Sequence, residues 1–307
     1  MKKIALVILL IGVSTNFYGQ ILNDTVAQVV GYWNLNESHM FKVSQEKFTV
    51  KEKDTVYTFQ STCDLKITVK DSTATGYTVD WLYTNCLITS DNPVYQKINR
   101  LNNNLLVKFK TNELGGVLDI VNWEAVRDTV LQQISSLEEI EKENEIMKNA
   151  LQKVKTIFAS KEGIRNNLMK DAQQFYHFHG GSYELNKKYQ GATKVSNSLG
   201  GSSFDAQLSV SLDEIDKEEG TIVLRSITEI DSEQLTKVTY DFIKSNMPKE
   251  AQSLFPTLID FPKLTNTTYI SSVIHEGTGW TTYTIEEKEV VSKDGLAVEN
   301  KIIEFIE

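Results

Sequence analysis

Between Leu65 and Tyr83 the apolar residues fall on every second position on both sides of a run of turn formers, and a cysteine stands outside each end of the pattern. Leu65, Ile67 and Val69 lead into Asp71-Ser72-Thr73-Ala74-Thr75-Gly76, and Tyr77, Val79, Trp81 and Tyr83 lead out. Period two is the side-chain spacing of a half-buried strand, and small polar residues ending in Gly favour a tight reversal, so an antiparallel hairpin is predicted. With Thr73 to Gly76 as a four-residue loop, Ser72 faces Tyr77, and the same register sets Cys63 opposite Cys86. Facing residues of antiparallel strands lie within bridging distance, so a Cys63–Cys86 disulfide is expected, stabilising by about 3 kcal/mol through loop closure. Two free buried thiols are the competing reading. Two cysteines alone are too few for a structural zinc site.

A disulfide belongs in an oxidising compartment, and the first residues point to one. Lys2 and Lys3 precede an apolar run from Ile4 to Ile11 and a more polar stretch to Gln20, the order of a secretory signal peptide. As helix, that run is about 12 Å long against a bilayer core of roughly 30 Å, too short for a permanent span. Cleavage is expected after Gly19, although Phe17 departs from the small-x-small rule. No Cys lies just after the apolar run, so no lipoprotein anchor is expected, and no later segment is apolar enough for a transmembrane anchor. The expected product is soluble and periplasmic or extracellular. The net charge of −9 argues against nucleic acid or an anionic membrane surface as partner, because both reward clustered cations.

Period two dominates from Thr25 to about Val121, changes to spacings of three and four from Trp123 to Phe158, and returns beyond Tyr183. Asn122 is placed to cap the helical stretch, whose stripe runs through Val126, Val130, Ile134, Leu137, Ile140, Met147, Leu151 and Val154, with Asn144 polar on it. Unbroken, this helix would be about 54 Å long, so it is expected to bend near Ser135-Ser136 or to project. Its run Glu138-Glu139-Ile140-Glu141-Lys142-Glu143-Asn144-Glu145 reads as a solvated face. A second helix is expected from a Ser160 cap through Ile164, Leu168, Ala172 and Phe175 to Gly180-Gly181, and a short one behind Asp231-Ser232-Glu233-Gln234. The expected class is α+β, with antiparallel β-sheets packed around a central pair of long α-helices. Leu65-Lys66-Ile67-Thr68-Val69 and Leu208-Ser209-Val210-Ser211-Leu212 echo each other, as do Lys42-Val43-Ser44 and Lys194-Val195-Ser196, which makes the two β-rich halves a candidate duplication. The boundaries are a signal peptide over 1–19, an N-terminal β region over 20–121, a helical segment over 122–181 and a C-terminal β-rich region with a short helix over 182–307.

Four local patterns carry a resemblance: Tyr18-Gly19-Gln20 closing the signal peptide, Lys110-Thr111-Asn112-Glu113-Leu114-Gly115-Gly116 leading to Asn122-Trp123-Glu124, Asp231-Ser232-Glu233-Gln234-Leu235-Thr236, and Thr278-Gly279-Trp280. Together they resemble uncharacterised secreted proteins of Gram-negative bacteria over most of the mature chain. The resemblance implies secretion. It implies no activity, because its motifs are turns and caps.

Chemistry-bearing motifs are scarce. His177 and His179 form the one site-like pair: two apart on extended backbone, both imidazoles could reach one metal, whereas on a helix they would diverge by about 200°. Placed at a helix end, a histidine also answers the negative pole of the dipole without any metal. His179-Gly180-Gly181-Ser182 lacks the G-x-S-x-G elbow that an esterase needs, and no motif implies a cofactor. The aromatic residues of the hairpin and of Phe175-Tyr176 fit cross-strand packing better than ligand stacking. The expectation is therefore a non-catalytic envelope protein with a hydrophobic, lipid-like ligand in a groove between sheet and helix. The alternatives are a scaffold that binds an envelope protein through the long acidic helix, and a hydrolase with a dispersed site.

Overall fold

The alternating segments of both β-rich stretches fold into a single antiparallel sheet of eleven strands. The computed structural model describes residues 21–306 apart from 53, 198 and 200, so the expected signal peptide and its cleavage position lie outside the described residues. In chain order come β1 (Ile21–Asn23), β2 (Val26–Gln28), β3 (Ser38–Lys51), β4 (Asp54–Thr73) and β5 (Gly76–Ser90). Then follow α1 (Pro93–Asn99), β6 (Leu106–Thr111), β7 (Val117–Ile120), α2 (Trp123–Ile140), α3 (Glu145–Phe158) and α4 (Lys161–Phe175). The last third holds β8 (Ser182–Glu184), β9 (Lys188–Val195), β10 (Phe204–Asp216), β11 (Thr221–Ile230), α5 (Ser232–Asn246), α6 (Lys249–Gln252), β12 (Thr265–His275), β13 (Thr281–Ser292) and β14 (Gly295–Phe305).

The strand order is β7-β6-β5-β4-β3-β14-β13-β12-β11-β10-β9. Each neighbouring pair is consecutive in the chain except one: β3 and β14 join in the middle of the sheet, from Phe41↔Phe305 to Val50↔Leu296. The helices α2, α3 and α4 lie between edge strand β7 and the strands that restart at the far edge. The two β-rich stretches therefore share one sheet, a correction to the expectation of separate sheets. The strands carrying the internal echo occupy different places, β3 at this seam and β9 at the free edge. A small sheet, β1-β2-β8, accompanies the large one.

The hairpin forms with Ser72 opposite Tyr77, as its turn chemistry predicts. The loop is shorter than expected, Ala74-Thr75 alone, because Thr73 pairs with Gly76. At Gly76 φ is +143°, and a Cβ there would stand 2.1 Å from the Thr111 carbonyl oxygen, so this position requires glycine. The ladder slips between Val69 and Asp71 and slips back between Thr62 and Asp64. The two irregularities compensate, and Cys63 and Cys86 are joined by a disulfide with Cα atoms 4.1 Å apart.

The helical segment holds three helices rather than a long pair. Ser135 and Ser136 do not bend α2: their hydroxyls donate to the carbonyls of Leu131 and Gln132 and the helix runs on. The break comes at Glu141–Asn144, where the polar member of the apolar stripe accepts the Met147 N–H at 3.1 Å and caps α3. The acidic segment does not project either. Helix α3 folds back along α2, tied by Lys155–Glu138 at 2.6 Å, and buries Met147 and Leu151 in one cluster with Val126, Val130 and Ile134. Ser160 caps α4 and Asp231 caps α5 as expected. Helix α1 starts directly after Asp91-Asn92: Asn92 caps it and Pro93 occupies its first turn, which a missing N–H does not disturb.

The larger core lies between α2–α4 and the β3–β7 side of the sheet, with Phe41, Leu65, Ile67, Trp81, Phe109 and Phe175 buried. A second core packs Ala27, Val29 and Phe178 against Leu212, Ile222, Leu224 and Ile274, under the small sheet. Among the described residues no helix is long and apolar enough to cross a membrane, and the disulfide is consistent with an oxidising compartment.

Candidate functional site: a pocket where helix and sheet part

Along β3 the residues facing α4 change from Phe41 and Val43 to Gln45 and Lys47, and β14 changes at the same level. Val43 pairs with Ile303, Gln45 with Lys301 and Lys47 with Glu299. The next strand follows, with Thr284 beside Ile303, Glu286 beside Lys301 and Lys288 beside Glu299. One sheet face thus turns from apolar to charged across three strands. Helix α4 matches it, with Ala172 and Phe175 buried over the apolar part and Lys170 and Asp171 over the charged part.

Where the chemistry changes, a cavity of ≈ 320 Å³ opens between α4, the segment after α1 and the strands β3, β4, β5 and β14. This lies at the small end of ligand pockets, which span about 300–1,000 Å³. Val43, Tyr83, Ile88, Leu105, Leu168 and Cys63 of the disulfide give its lining apolar surface, and Ser61, Asn99, Asn102 and Asn167 add uncharged polar groups. The lining also holds Gln45, Lys47, Glu299, Lys301, Asp171 and Lys170. The expected groove between helix and sheet is present, but it is amphipathic rather than wholly hydrophobic.

Its charges are organised. The Lys301 ammonium donates to Asp171 at 2.7 Å, and the Tyr83 hydroxyl donates to the other carboxylate oxygen at 2.9 Å. Burial pushes the Asp171 carboxyl up, but the Lys301 charge and the two hydrogen bonds outweigh it and hold the group below the usual carboxylate range. Burial likewise works against the Lys301 ammonium, and Asp171 more than restores it. Glu299 accepts from Gln45 at 2.6 Å and pairs with Lys47 at 3.1 Å. Glu286 is raised above the usual carboxylate range, chiefly by burial. Lys170 has neither hydrogen bond nor ion pair among the described residues; burial first, then the neighbouring Lys301 charge, lowers its pKa. Beneath these groups the Gln174 amide donates to the backbone carbonyls of Lys301 at 3.0 Å and Thr284 at 3.4 Å, fixing α4 to β14 and β13.

His177 and His179 lie in the turn after α4, with different ring neighbours. His177 stacks edge-on against Phe178 at 4.7 Å, and burial pushes its pKa down to about 4. His179 sits beside Tyr176 at 5.3 Å and Trp33 at 5.7 Å. Its Nε2 is 2.8 Å from the Gly279 carbonyl oxygen; a carbonyl only accepts, so this nitrogen carries the proton. Burial holds His179 near 4 as well. Its Nδ1, like Trp33 Nε1, Trp81 Nε1 and the Tyr176 hydroxyl, is buried without a protein partner. Among the described residues no group of three His, Cys, Asp or Glu is placed to hold a metal. His177 is held by ring packing against Phe178, and His179 by the Gly279 contact at Nε2.

Sequence reasoning missed Asp171, Lys301, Glu299 and Lys170. The available signal was the alternation Glu299, Lys301, Ile303, Phe305 on the final strand, which sets two charges on the same face as two core residues.

No family model matches the chain, and no curated protein matches it. A solved structure titled "Lipid-protein interactions in lipovitellin" is similar with a TM-score of 0.43 at 8% identity, the match covering 89% of this chain and 25% of that one. The chain thus spans about a quarter of the lipovitellin chain it matches.

Proposed function

We propose that this is an exported, non-catalytic binding protein that holds a small amphipathic, lipid-like ligand in the pocket between α4 and the sheet seam. One observation carries the reading: a cavity of ≈ 320 Å³ whose lining combines apolar side chains with organised charges. Such a space matches a ligand with an apolar body and a polar end, since each part replaces water with its own kind of contact. Export rests on the signal-like N-terminus, the disulfide and the resemblance to secreted proteins of Gram-negative bacteria. The projecting arm of the scaffold alternative is replaced by a helical hairpin, α2 packed against α3.

Native mass spectrometry of the protein purified from an exporting host tests the reading, alongside Leu168→Trp, which adds bulk at an apolar residue of the pocket lining. The expected result is a small-molecule adduct on the parent protein that is absent from the variant. A parent protein free of adduct that also fails to bind a fluorescent fatty-acid probe would overturn it.

A further inference from the structure

We infer that the ligand's polar end is an anion, a carboxylate or a phosphate ester, received by Lys170. This deepens the binding reading above and rests on it. Three ammonium groups line the pocket, those of Lys47, Lys170 and Lys301, against two carboxylates, Asp171 and Glu299. Both carboxylates are already engaged. Asp171 takes Lys301 and the Tyr83 hydroxyl, and Glu299 takes Lys47 and the Gln45 amide. Lys170 is left as the unpaired cation of the set.

Its neighbours make that position electrostatically unfavourable. Lys301, Lys288 and Lys47 all act on Lys170 in the repulsive sense, with Glu299 as the opposing charge. A bound anion would relieve this repulsion as well as gain a charge-assisted hydrogen bond. A cationic end would add to the repulsion, and a neutral end would leave it in place. Val43, Ile88, Leu105 and Leu168 line the same pocket, so an anion held at Lys170 leaves these apolar residues for the ligand's body. A fatty carboxylate and a phosphorylated amphiphile share this chemistry.

Isothermal titration of the full chain with octanoate, octyl phosphate, octanol and inorganic phosphate tests the inference, on the parent and on Lys170→Gln and Lys170→Arg. Lys170 is on the surface of α4, and an unchanged melting temperature will confirm that the variants fold. We expect at least one octyl anion to bind about tenfold more tightly than octanol, to lose about tenfold in Lys170→Gln and to recover in Lys170→Arg. The stronger of the two octyl anions identifies the source of the charge. Octanol binding as tightly as both anions, or anion binding unchanged in Lys170→Gln, would overturn the anion inference and leave the pocket reading standing. Inorganic phosphate binding while no octyl compound does would overturn the amphipathic ligand, and silence from all four probes would overturn the pocket reading itself.

Discussion

The ammonium of Lys301, on the final strand, and the carboxylate of Asp171, on α4, meet at 2.7 Å between helix and sheet. The pair joins the last strand to the helix that lies over the first long one, and the Gln174 amide reinforces it from below. Lys301 retains 11% of its side-chain exposure and Asp171 23%, so each would be left largely desolvated without the other. Removing one partner of such a pair exposes the fold to an uncompensated charge, whereas replacing both with apolar residues restores balance. Lys301→Met should therefore cost about 3 kcal/mol, and the double variant Asp171→Leu/Lys301→Met should regain most of it. Urea unfolding of the two single variants and the double variant checks this.

Acid should weaken the fold through the two buried histidines. Both are held near pKa 4 in the folded chain, against 6.5 for an ordinary imidazole. Between pH 6.5 and 4 the unfolded chain takes up protons that the folded chain refuses, so stability falls as the pH falls through that window. Each ring accounts for up to about 3 kcal/mol. Asp171 acts in the same direction at lower pH, since its folded pKa is depressed and its contribution is lost once the pH falls below the ordinary carboxylate range. His179→Gln keeps a donor for the Gly279 carbonyl and should remove about half of the slope between pH 6.5 and 4. Unfolding midpoints measured across that range decide the matter.

Reduction of the Cys63–Cys86 bridge should destabilise without unfolding the sheet. The bridge spans 23 residues of chain, and loops of that size are stabilised by about 3 kcal/mol when closed. The double variant Cys63→Ala/Cys86→Ala should show the same loss as the parent protein in dithiothreitol, and dithiothreitol should have no further effect on the variant.

Gly76→Ala should cost about 2 kcal/mol or more. The new Cβ would meet the Thr111 carbonyl oxygen at 2.1 Å, on a backbone already at φ +143°. Because β5 and β6 pair from Thr78↔Lys110 onward, the displacement should also raise amide exchange at that end of the two strands. Hydrogen exchange of Tyr77 and its neighbours is the measurement.

Local chemistry was the legible part of this chain. The hairpin, its cysteine pairing, the Ser160 and Asp231 caps and the period change at Trp123 all follow from residues close in sequence. The helix break at Asn144 was written as a polar residue on an apolar stripe and was misjudged because the serines at 135 and 136 looked like the weaker point. The pocket was not legible, and the reason is its construction. Lys301 gains meaning only when Asp171 lies across from it, 130 residues away, and Lys170 stands out only once Asp171 and Glu299 have found other partners. A single charged residue in a strand reads as solvent-facing until the third dimension supplies a helix above it.

The seam between β3 and β14 governs the order in which the molecule can be completed. Gln45 and Glu299, hydrogen-bonded across it, are separated by 254 positions, so the first long strand has one unsatisfied edge until nearly the whole chain has been synthesised. Joining ends so far apart adds little to the loop-closure entropy, which grows only logarithmically with length, but it places the decisive contacts late and makes folding slow. The pocket between α4 and the sheet, to which the last strand contributes Glu299 and Lys301, is therefore complete only once that strand has joined the seam.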